Sequence, residues 1–152
     1  DTWLSSEPLR AALAAASARV DAVRFRPQRG HVAEPRIRQP IKRTLLMRVF
    51  PGTSPERIAQ FDADMCRMPD HIGAIRNWAY SHTDPGLQPT QWTHVWEQEY
   101  EKLEGLQGDY MLHAYHWGYI DRYYDIESGC RIVDPHLAHV FYRAEGDGTF
   151  LG

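Results

Sequence analysis

Between about Ile41 and Glu145, the spacing of apolar residues switches several times between the period of a strand and the period of a helix. The segment Thr44–Phe50 alternates apolar with polar residues and predicts a strand. Ser54 and Pro55 then form a helix start, and apolar residues recur at helical spacing until Pro69, where the helix is predicted to end. The chain therefore begins its patterned part with a strand followed by a helix.

The rest of the pattern predicts three more strands and one more helix. Ile72–His82 has strand-favouring residues, and Trp92–Tyr100 alternates clearly after a turn-rich loop. Helical spacing returns near Lys102, and His136–Ala144 is the last predicted strand. The order βαββαβ is that of the α+β ferredoxin-like split fold, in which two helices cover one face of the sheet. The bare face, with the aromatic residues of the third strand, predicts a homodimer.

The first forty residues differ from this domain. A helix capped by Ser5 or Ser6 is predicted to open the chain, with apolar residues at Leu9, Leu13, Ala16 and Val20. The proline-rich segment Pro27–Pro40 is then predicted to form an extended arm without regular structure. The predicted organisation is a helix and arm at 1–40, a ferredoxin-like domain at 41–145 and a tail at 146–152.

Composition excludes several classes of partner. A formal net charge of -3 argues against a general nucleic-acid binder, and no apolar run is long enough to span a membrane. Arg10 and Arg19 interrupt the alanine-rich start, which argues against a signal peptide. Cys66 and Cys130 have no metal-like or redox-like spacing. We therefore expect one soluble, cytoplasmic domain with reduced thiols that binds neither nucleic acid nor membrane.

The segment Asp109–Ile120, DYMLHAYHWGYI, concentrates groups that can move a proton. On an unbroken helix the side chains of Tyr110 and His116 would diverge, because six residues turn by about 240° beyond one full turn. A break at His113–Tyr115 would let them converge, with the tyrosine hydroxyl facing a substrate carbonyl and the imidazole taking a proton from the adjacent carbon. The alternative is that Tyr110 fills the core and His116 caps the helix.

The run Thr93–His116, THVWEQEYEKLEGLQGDYMLHAYH, resembles the stress-responsive α/β-barrel (Dabb) family, which includes the olivetolic acid type of polyketide cyclase. The resemblance extends over about Ile41–Ala144. It implies dimeric barrels of ferredoxin-like subunits and a cyclase without metal or organic cofactor. It also implies that Tyr110 and His116 are the catalytic pair, and that His113 is the family's other histidine.

The chain departs from the family pattern at two positions. Ala114 stands where a proline commonly follows the first histidine of the motif, which affects the local backbone. Arg43 stands where the family commonly has a histidine near the start of the first strand. This second change is expected to remove one polar group that the pocket of the cyclase would contain.

Other candidate residues have a functional and a structural interpretation. Six of them could contact a flat or oily substrate, although aromatic residues at these spacings are also typical of a plain core. These residues are His113, Trp78, Trp92, Trp96, Trp117 and Tyr119. His113 and His116 could hold a metal together with His94, but no fitting carboxylate signature accompanies them, so no metal site is predicted.

Two further groups are not expected to form sites. His136 and His139 lie three residues apart on a predicted strand and should face opposite sides of it. Asp62, Asp64 and the acidic run Glu97–Glu104 are interpreted as solvated faces.

The sequence and the resemblance together suggest a cofactor-independent enzyme similar to polyketide cyclases. It would close a ring by an aldol-type reaction on a small polyketide-like or aromatic molecule. One alternative is a cofactor-free monooxygenase of a related dimeric barrel type. The other is a non-catalytic stress or ligand-binding protein, and the fold by itself does not choose among the three.

Overall fold

The structure is a computed structural model and describes residues 6–15, 23–84, 86, 90–149 and 151. The described residues contain five strands, which form a single antiparallel sheet in the order β1-β3-β4-β2-β5. These are β1 (Arg29–Val32), β2 (Ile41–Met47), β3 (Asn77–His82), β4 (His94–Tyr100) and β5 (Ala138–Arg143). With the helices between them, β2 to β5 follow the connection order of the ferredoxin-like fold. The predicted α+β ferredoxin-like class is confirmed.

The described residues form two α-helices, one before β1 and one between β2 and β3. They are α1 (Glu7–Ala15) and α2 (Pro55–His71), and the predicted extension of α1 to Val20 lies outside the described residues. The Ser54 side chain accepts a hydrogen bond from the Arg57 N–H and caps α2, as its sequence indicates. The predicted end at Pro69 is wrong by two residues, because a proline in the last turn removes only one backbone hydrogen bond.

The second predicted helix is instead two short π-helical segments with a turn between them. We call them π1 (Gly105–Tyr110) and π2 (Tyr115–Ile120), and the turn between them covers residues 111–114. Two 3-10 turns follow, at Asp121–Tyr123 and Ile126–Ser128. None of the helices in the described ranges has the length and apolar character needed to cross a membrane.

The arm contains regular structure, which corrects the sequence-based expectation. β1 lies between the prolines at 27 and 35 and pairs with the free edge of β3. None of its four residues is a proline, so each has a backbone N–H that can take part in strand pairing. Beyond it, the Glu34 backbone and the Asn77 side chain form two hydrogen bonds, and Ile37 is fully buried. The tail joins the arm through a hydrogen bond from Gly148 N–H to the Ile37 carbonyl.

The two faces of the sheet also differ from the expectation. His94, Trp96, Gln98 and Tyr100 lie on the face that packs against α2, so the aromatic residues of β4 belong to the core of one subunit. The opposite face is not bare in its middle, where the chain itself already buries Val95, Asn77, Ala79 and Glu99. It is exposed at β5, where at least half of the surface of Val140 and of Tyr142 is accessible to solvent.

Candidate active site

A cavity of about 470 Å³ lies between the helix-covered face of the sheet and the two π-helical segments. Strand β2 and π1 provide its polar floor, and apolar residues of α2 and π2 close it. The residues that line it are Arg43, Leu45, Met65, Tyr110, Met111, His116, Ile120, Asp121, Tyr124, Asp125, Leu137 and His139. Met111 and Leu137 are the partly exposed apolar members of this lining, which places the opening beside β5 and the turn after π1.

Tyr110 and His116 meet in this cavity. Their ring centroids are 4.4 Å apart with an angle of 50° between the planes, and both side chains are part of the lining. They converge because π1 ends at Tyr110 and π2 begins at Tyr115, so the chain changes direction between them. π-helical turns are frequent at functional sites. The break lies at residues 111–114, slightly before the predicted position.

His113 stabilises this break. Its Nδ1 accepts a hydrogen bond from the Tyr115 N–H at 3.1 Å, and its backbone carbonyl accepts from the N–H groups of His116 and Trp117. The imidazole therefore satisfies one backbone donor at the start of π2, in the way that a capping side chain does. His113 contacts the backbone of the motif and does not line the cavity.

Arg43 is the buried cation of the site. Its side chain donates to three neutral acceptors: Tyr110 Oη at 2.9 Å, His139 Nε2 at 2.7 Å, and Gln98 Oε1. No carboxylate among the described residues forms an ion pair with it. Arg43 is only 4% exposed and retains its charge, because an arginine side chain is not deprotonated in proteins. The expectation that Arg43 removes a polar group is therefore wrong, because the position contributes a fixed positive charge.

The electrostatics of the cavity favour neutral histidines. Burial, followed by the charge of Arg43, lowers the pKa of His116 to about 4, against a hydrogen bond at the Met111 backbone that raises it. Burial and Arg43 also lower the pKa of His139. At neutral pH both imidazoles are thus unprotonated bases, and His116 Nδ1 has no hydrogen-bond partner among the described residues. Burial and Asp125 raise the pKa of the Asp121 carboxyl.

A second polar network anchors π2 to α2. The carboxylate of Asp64 is fully buried and accepts hydrogen bonds from Arg122 at 2.8 Å and from Tyr123 at 2.5 Å. Tyr115 donates its hydroxyl to the Asp64 carbonyl, and the Arg122 guanidinium stacks on Tyr119 at 4.0 Å. The interpretation of Asp64 as a solvated residue is wrong, because its position on α2 faces the segment that carries His116.

The remaining aromatic candidates lie elsewhere, and none of them lines this cavity. Trp96 is fully buried in the core between Trp78 and Tyr80. Trp117 is 60% exposed and donates its indole N–H to the Leu112 carbonyl. Trp92 and Tyr119 are partly buried outside the lining. Periodicity could not separate them from cavity residues, since the core and the cavity share one face of the sheet.

His94 does not meet His113 or His116. It lies beside Asp62 and His82, with the His94 Nε2 atom 3.4 Å from Asp62 Oδ1. Asp62 is buried and also accepts hydrogen bonds from Tyr80 at 2.7 Å and His82 at 2.9 Å, so its interpretation as a solvated residue is wrong. The acidic run is mixed too, because Glu99 is fully buried and accepts from Asn77.

Among the cavity residues that the sequence analysis did not assign to the site are Arg43 and His139. Arg43 lies on the same face of the strand as Leu45 and Met47, because side chains two residues apart point to the same side. A charged residue on this otherwise apolar face could have been recognised from the sequence. His139 was set aside as one of a pair on opposite strand faces. In the structure, His136 lies before β5 and pairs with Asp134, whereas His139 lies within β5 and reaches Arg43.

The sequence profile of the stress responsive A/B barrel domain, abbreviated Dabb, matches residues 41–136. This match spans β2 to π2 and includes most of the cavity. The chain belongs to the Dabb family. No curated protein sequence matches the chain.

Solved structures share the Dabb chain's fold at low sequence identity. Protein At3g17210 from Arabidopsis thaliana aligns with a TM-score of 0.57 at 19% identity, covering 70% of this chain and 97% of that one. A dimeric ferredoxin-like protein of unknown function from Thermobifida fusca aligns with a TM-score of 0.56 at 16% identity, covering 74% and 99%. A hydroxynitrile lyase from Passiflora edulis aligns with a TM-score of 0.53 at 11% identity, covering 72% and 96%. These likenesses establish the fold alone.

This Dabb chain has Ala114 where the family commonly has proline, and the backbone there has a conformation that proline also adopts. The φ of Ala114 is -58° and its ψ is -32°. Proline fixes φ near about -65°, so the turn between π1 and π2 has a conformation that either residue can adopt.

Proposed function

We propose that the chain is a cofactor-independent enzyme that closes a ring in a carbonyl-rich small molecule by general acid-base chemistry. The observation that carries this proposal is the contact between Tyr110 and a neutral His116 within one cavity, with the buried charge of Arg43 beside the tyrosine hydroxyl. The resemblance to polyketide cyclases supports the choice of reaction. The lyase with the same fold is compatible with it but adds no argument about substrate.

In the proposed reaction, His116 removes a proton from a carbon that lies between two carbonyl groups. The resulting carbanion attacks a second carbonyl carbon of the same molecule, so that one C–C bond forms and the attacked oxygen becomes an alkoxide. Tyr110 donates its O–H to the oxygen on which negative charge develops. Because Tyr110 Oη already accepts a hydrogen bond from Arg43, its own proton remains available to the substrate. Transfer of the proton from His116 to the alkoxide and loss of water would complete the ring.

Arg43 narrows the class of substrate. A buried guanidinium that contacts only neutral acceptors in the described part of the chain places a positive charge beside the Tyr110 hydroxyl, in a cavity that Asp121 and Asp125 also line. The end of the cavity at Arg43 favours a substrate group that acquires negative charge as an enolate. We therefore propose a β-ketone substrate with acidic C–H groups, of polyketide-like or aromatic character.

The test is the mass of the product from a linear poly-β-ketone offered to the purified protein. Ring closure conserves the mass or removes one water, and in D₂O the substrate carbon should exchange hydrogen faster than in buffer alone only when His116 is present. A gain of oxygen with O₂ consumption would favour the monooxygenase alternative. Tight binding without either change would overturn the enzymatic proposal and favour a ligand-binding protein.

We also propose that the chain forms a homodimer through the exposed part of β5. Val140 is 59% exposed and Tyr142 is 50% exposed on the same side of the strand, and such a continuous apolar patch is typical of an interface. Fold neighbours from Thermobifida fusca and Bacteroides fragilis are described as dimeric.

Val140→Glu should convert the dimer to a monomer in light scattering, because it buries a charge in the interface. Ile126→Glu, at a position that is 75% exposed and outside the sheet, is the matched control and should stay dimeric. A wild-type chain that is monomeric at micromolar concentration would contradict the proposed dimer.

Cys66 and Cys130 are both free thiols. We propose a location in a reducing compartment, such as the cytoplasm, where unpaired thiols stay reduced.

A further inference from the structure

Asp62, His82 and His94 form a cluster outside the catalytic cavity. Asp62 lies on α2, and the two histidines are directly opposite each other on β3 and β4. Each residue offers one ligand atom, and these three atoms all lie within 4.8 Å of one another. We propose that this cluster binds a divalent transition-metal ion, with Zn²⁺ as the best fit, as a site separate from the catalytic residues.

The distances from the histidine nitrogens to the two Asp62 oxygens lie on either side of the ligand spacing in a tetrahedral site. Ligand atoms bound at about 2.0–2.1 Å from Zn²⁺ at tetrahedral angles lie about 3.3 Å apart. Asp62 Oδ2 is 2.9 Å from His82 Nε2, and Asp62 Oδ1 is 3.4 Å from His94 Nε2. Two imidazoles and one carboxylate are a donor set that zinc and its neighbours bind in proteins.

The environment of the His94 ring is the second observation. The Thr93 hydroxyl accepts a hydrogen bond from the Val49 N–H and lies 2.6 Å from His94 Nδ1, so Thr93 holds one ring nitrogen. The other ring nitrogen, Nε2, faces Asp62. This Nε2 atom is buried, and among the described residues it has no hydrogen-bond partner.

His94 Nε2 thus faces a carboxylate oxygen of Asp62, and the His94 residue is only 3% exposed. A buried ring nitrogen without a hydrogen-bond partner costs free energy, and coordination of a cation would remove that cost. The partners of the cluster also resemble the outer groups that orient metal ligands, since Tyr80 donates to Asp62 and Thr93 holds the His94 ring. His82 is partly exposed, so an ion could enter and keep a water ligand on that side.

This proposal revises the expectation from the sequence that the chain has no metal site. The sequence suggested a different set, His94 with His113 and His116. The carboxylate that completes the cluster comes from α2, at least twenty residues before either histidine along the chain. Metal at this place would connect α2 to the ends of β3 and β4.

The experiment uses the full chain, freed of metal by a chelator and titrated with ZnSO₄ in a calorimeter. We expect one Zn²⁺ per chain, a melting temperature raised by at least about 2 °C at saturation, and affinity reduced at least about tenfold in His82→Ala. His82→Ala should fold, because its ring is partly exposed. Asp62→Asn, which retains an acceptor for Tyr80, should also lose binding.

Two controls separate this site from other donors. His136→Ala removes a ring that is 90% exposed and should bind Zn²⁺ as the wild type does. Cys66→Ser removes a nearby thiol and should also leave binding unchanged, and Co²⁺ in the wild type should show no thiolate charge-transfer band. Absence of stoichiometric binding, or equal affinity of wild type and His82→Ala, would overturn the proposal and leave a proton shared within the cluster.

Discussion

At the scale of single residues, the site depends on a charge that the fold forces into an apolar place. Arg43 occupies an inward position of β2, and its three hydrogen bonds hold the Tyr110 hydroxyl and the His139 ring. The same charge, after burial, keeps His116 unprotonated. Arg43 thus polarises the Tyr110 hydroxyl and, together with burial, keeps His116 neutral.

The variant Tyr110→Phe tests the role of the hydroxyl. The ring and its contact with His116 remain, so the fold and substrate binding should persist while turnover falls about ten- to a thousandfold. The measurement is kcat and KM for the poly-β-ketone. Tyr142→Phe, which also removes one hydroxyl but lies on the other face of the sheet, should retain wild-type turnover. Equal kcat values in all three proteins would remove Tyr110 from the mechanism.

His116 is tested by two variants. His116→Ala should lower kcat/KM about a hundred- to ten-thousandfold, because it removes the base whose ring contacts Tyr110. His116→Gln retains polarity and approximate size but accepts no proton at neutral pH, so it should be folded and equally inactive. Activity in the Gln variant close to that of the wild type would assign the histidine a packing role.

The pH dependence follows from the lowered pKa of His116, about 4. Activity should stay high well below the ordinary imidazole value and decline only as pH approaches 4, when the base becomes protonated. The unfolded state binds this proton first, near its pKa of about 6.5, so the contribution to stability is lost as pH falls from there towards 4. A kcat/KM profile with its acid midpoint near 6.5 would contradict this environment.

At the scale of elements, the decisive feature is the turn between π1 and π2. Continuous helix would place Tyr110 and His116 on different sides, whereas the turn brings their rings into contact. The turn has two supports: the His113 imidazole at its end and the Asp64 network that fixes the segment after π2 to α2. Both act on the position of His116 without contacting the cavity.

The variant His113→Ala tests the first support. Loss of the bond from Nδ1 to the Tyr115 N–H should cost about 1 kcal/mol of unfolding free energy, as the loss of a helix cap does. Turnover should fall with KM less affected, because His116 loses its position. His113→Asn supplies a short acceptor and should recover much of both quantities. If Ala and Asn variants behave alike in urea unfolding and kinetics, the cap does not position the site.

At the scale of the whole molecule, the arm and the tail are part of the domain. β1 extends the sheet, Ile37 is buried, and the tail binds the arm through Gly148 and Thr149. The arm also covers the Asn77 and Glu99 pair through Glu34. Ordered segments of this kind contribute to stability mainly through the apolar area that they bury.

Removal of residues 1–39 should therefore lower the unfolding free energy by at least about 2 kcal/mol, the amount for one buried aliphatic side chain. Ile37→Ala in the full chain isolates that side chain and should cost about 2–4 kcal/mol in urea unfolding. Ile126→Ala, at an exposed position, is the control and should change stability by less than about 0.5 kcal/mol. Unchanged melting of the shortened chain would make the arm a passive tail.

The sequence by itself determined the order of strands and helical regions from β2 to β5 and the ferredoxin-like class, because periods of two and of three to four residues are local properties of the backbone. It also identified Tyr110 and His116, and the need for a break between them. Only the tertiary structure decided that Arg43 and His139 join them, that most of the aromatic candidates lie outside the cavity, and that Asp62 meets His82 and His94. The physical reason is that these contacts depend on strand register and on how a helix lies across the sheet, and both are set by long-range packing.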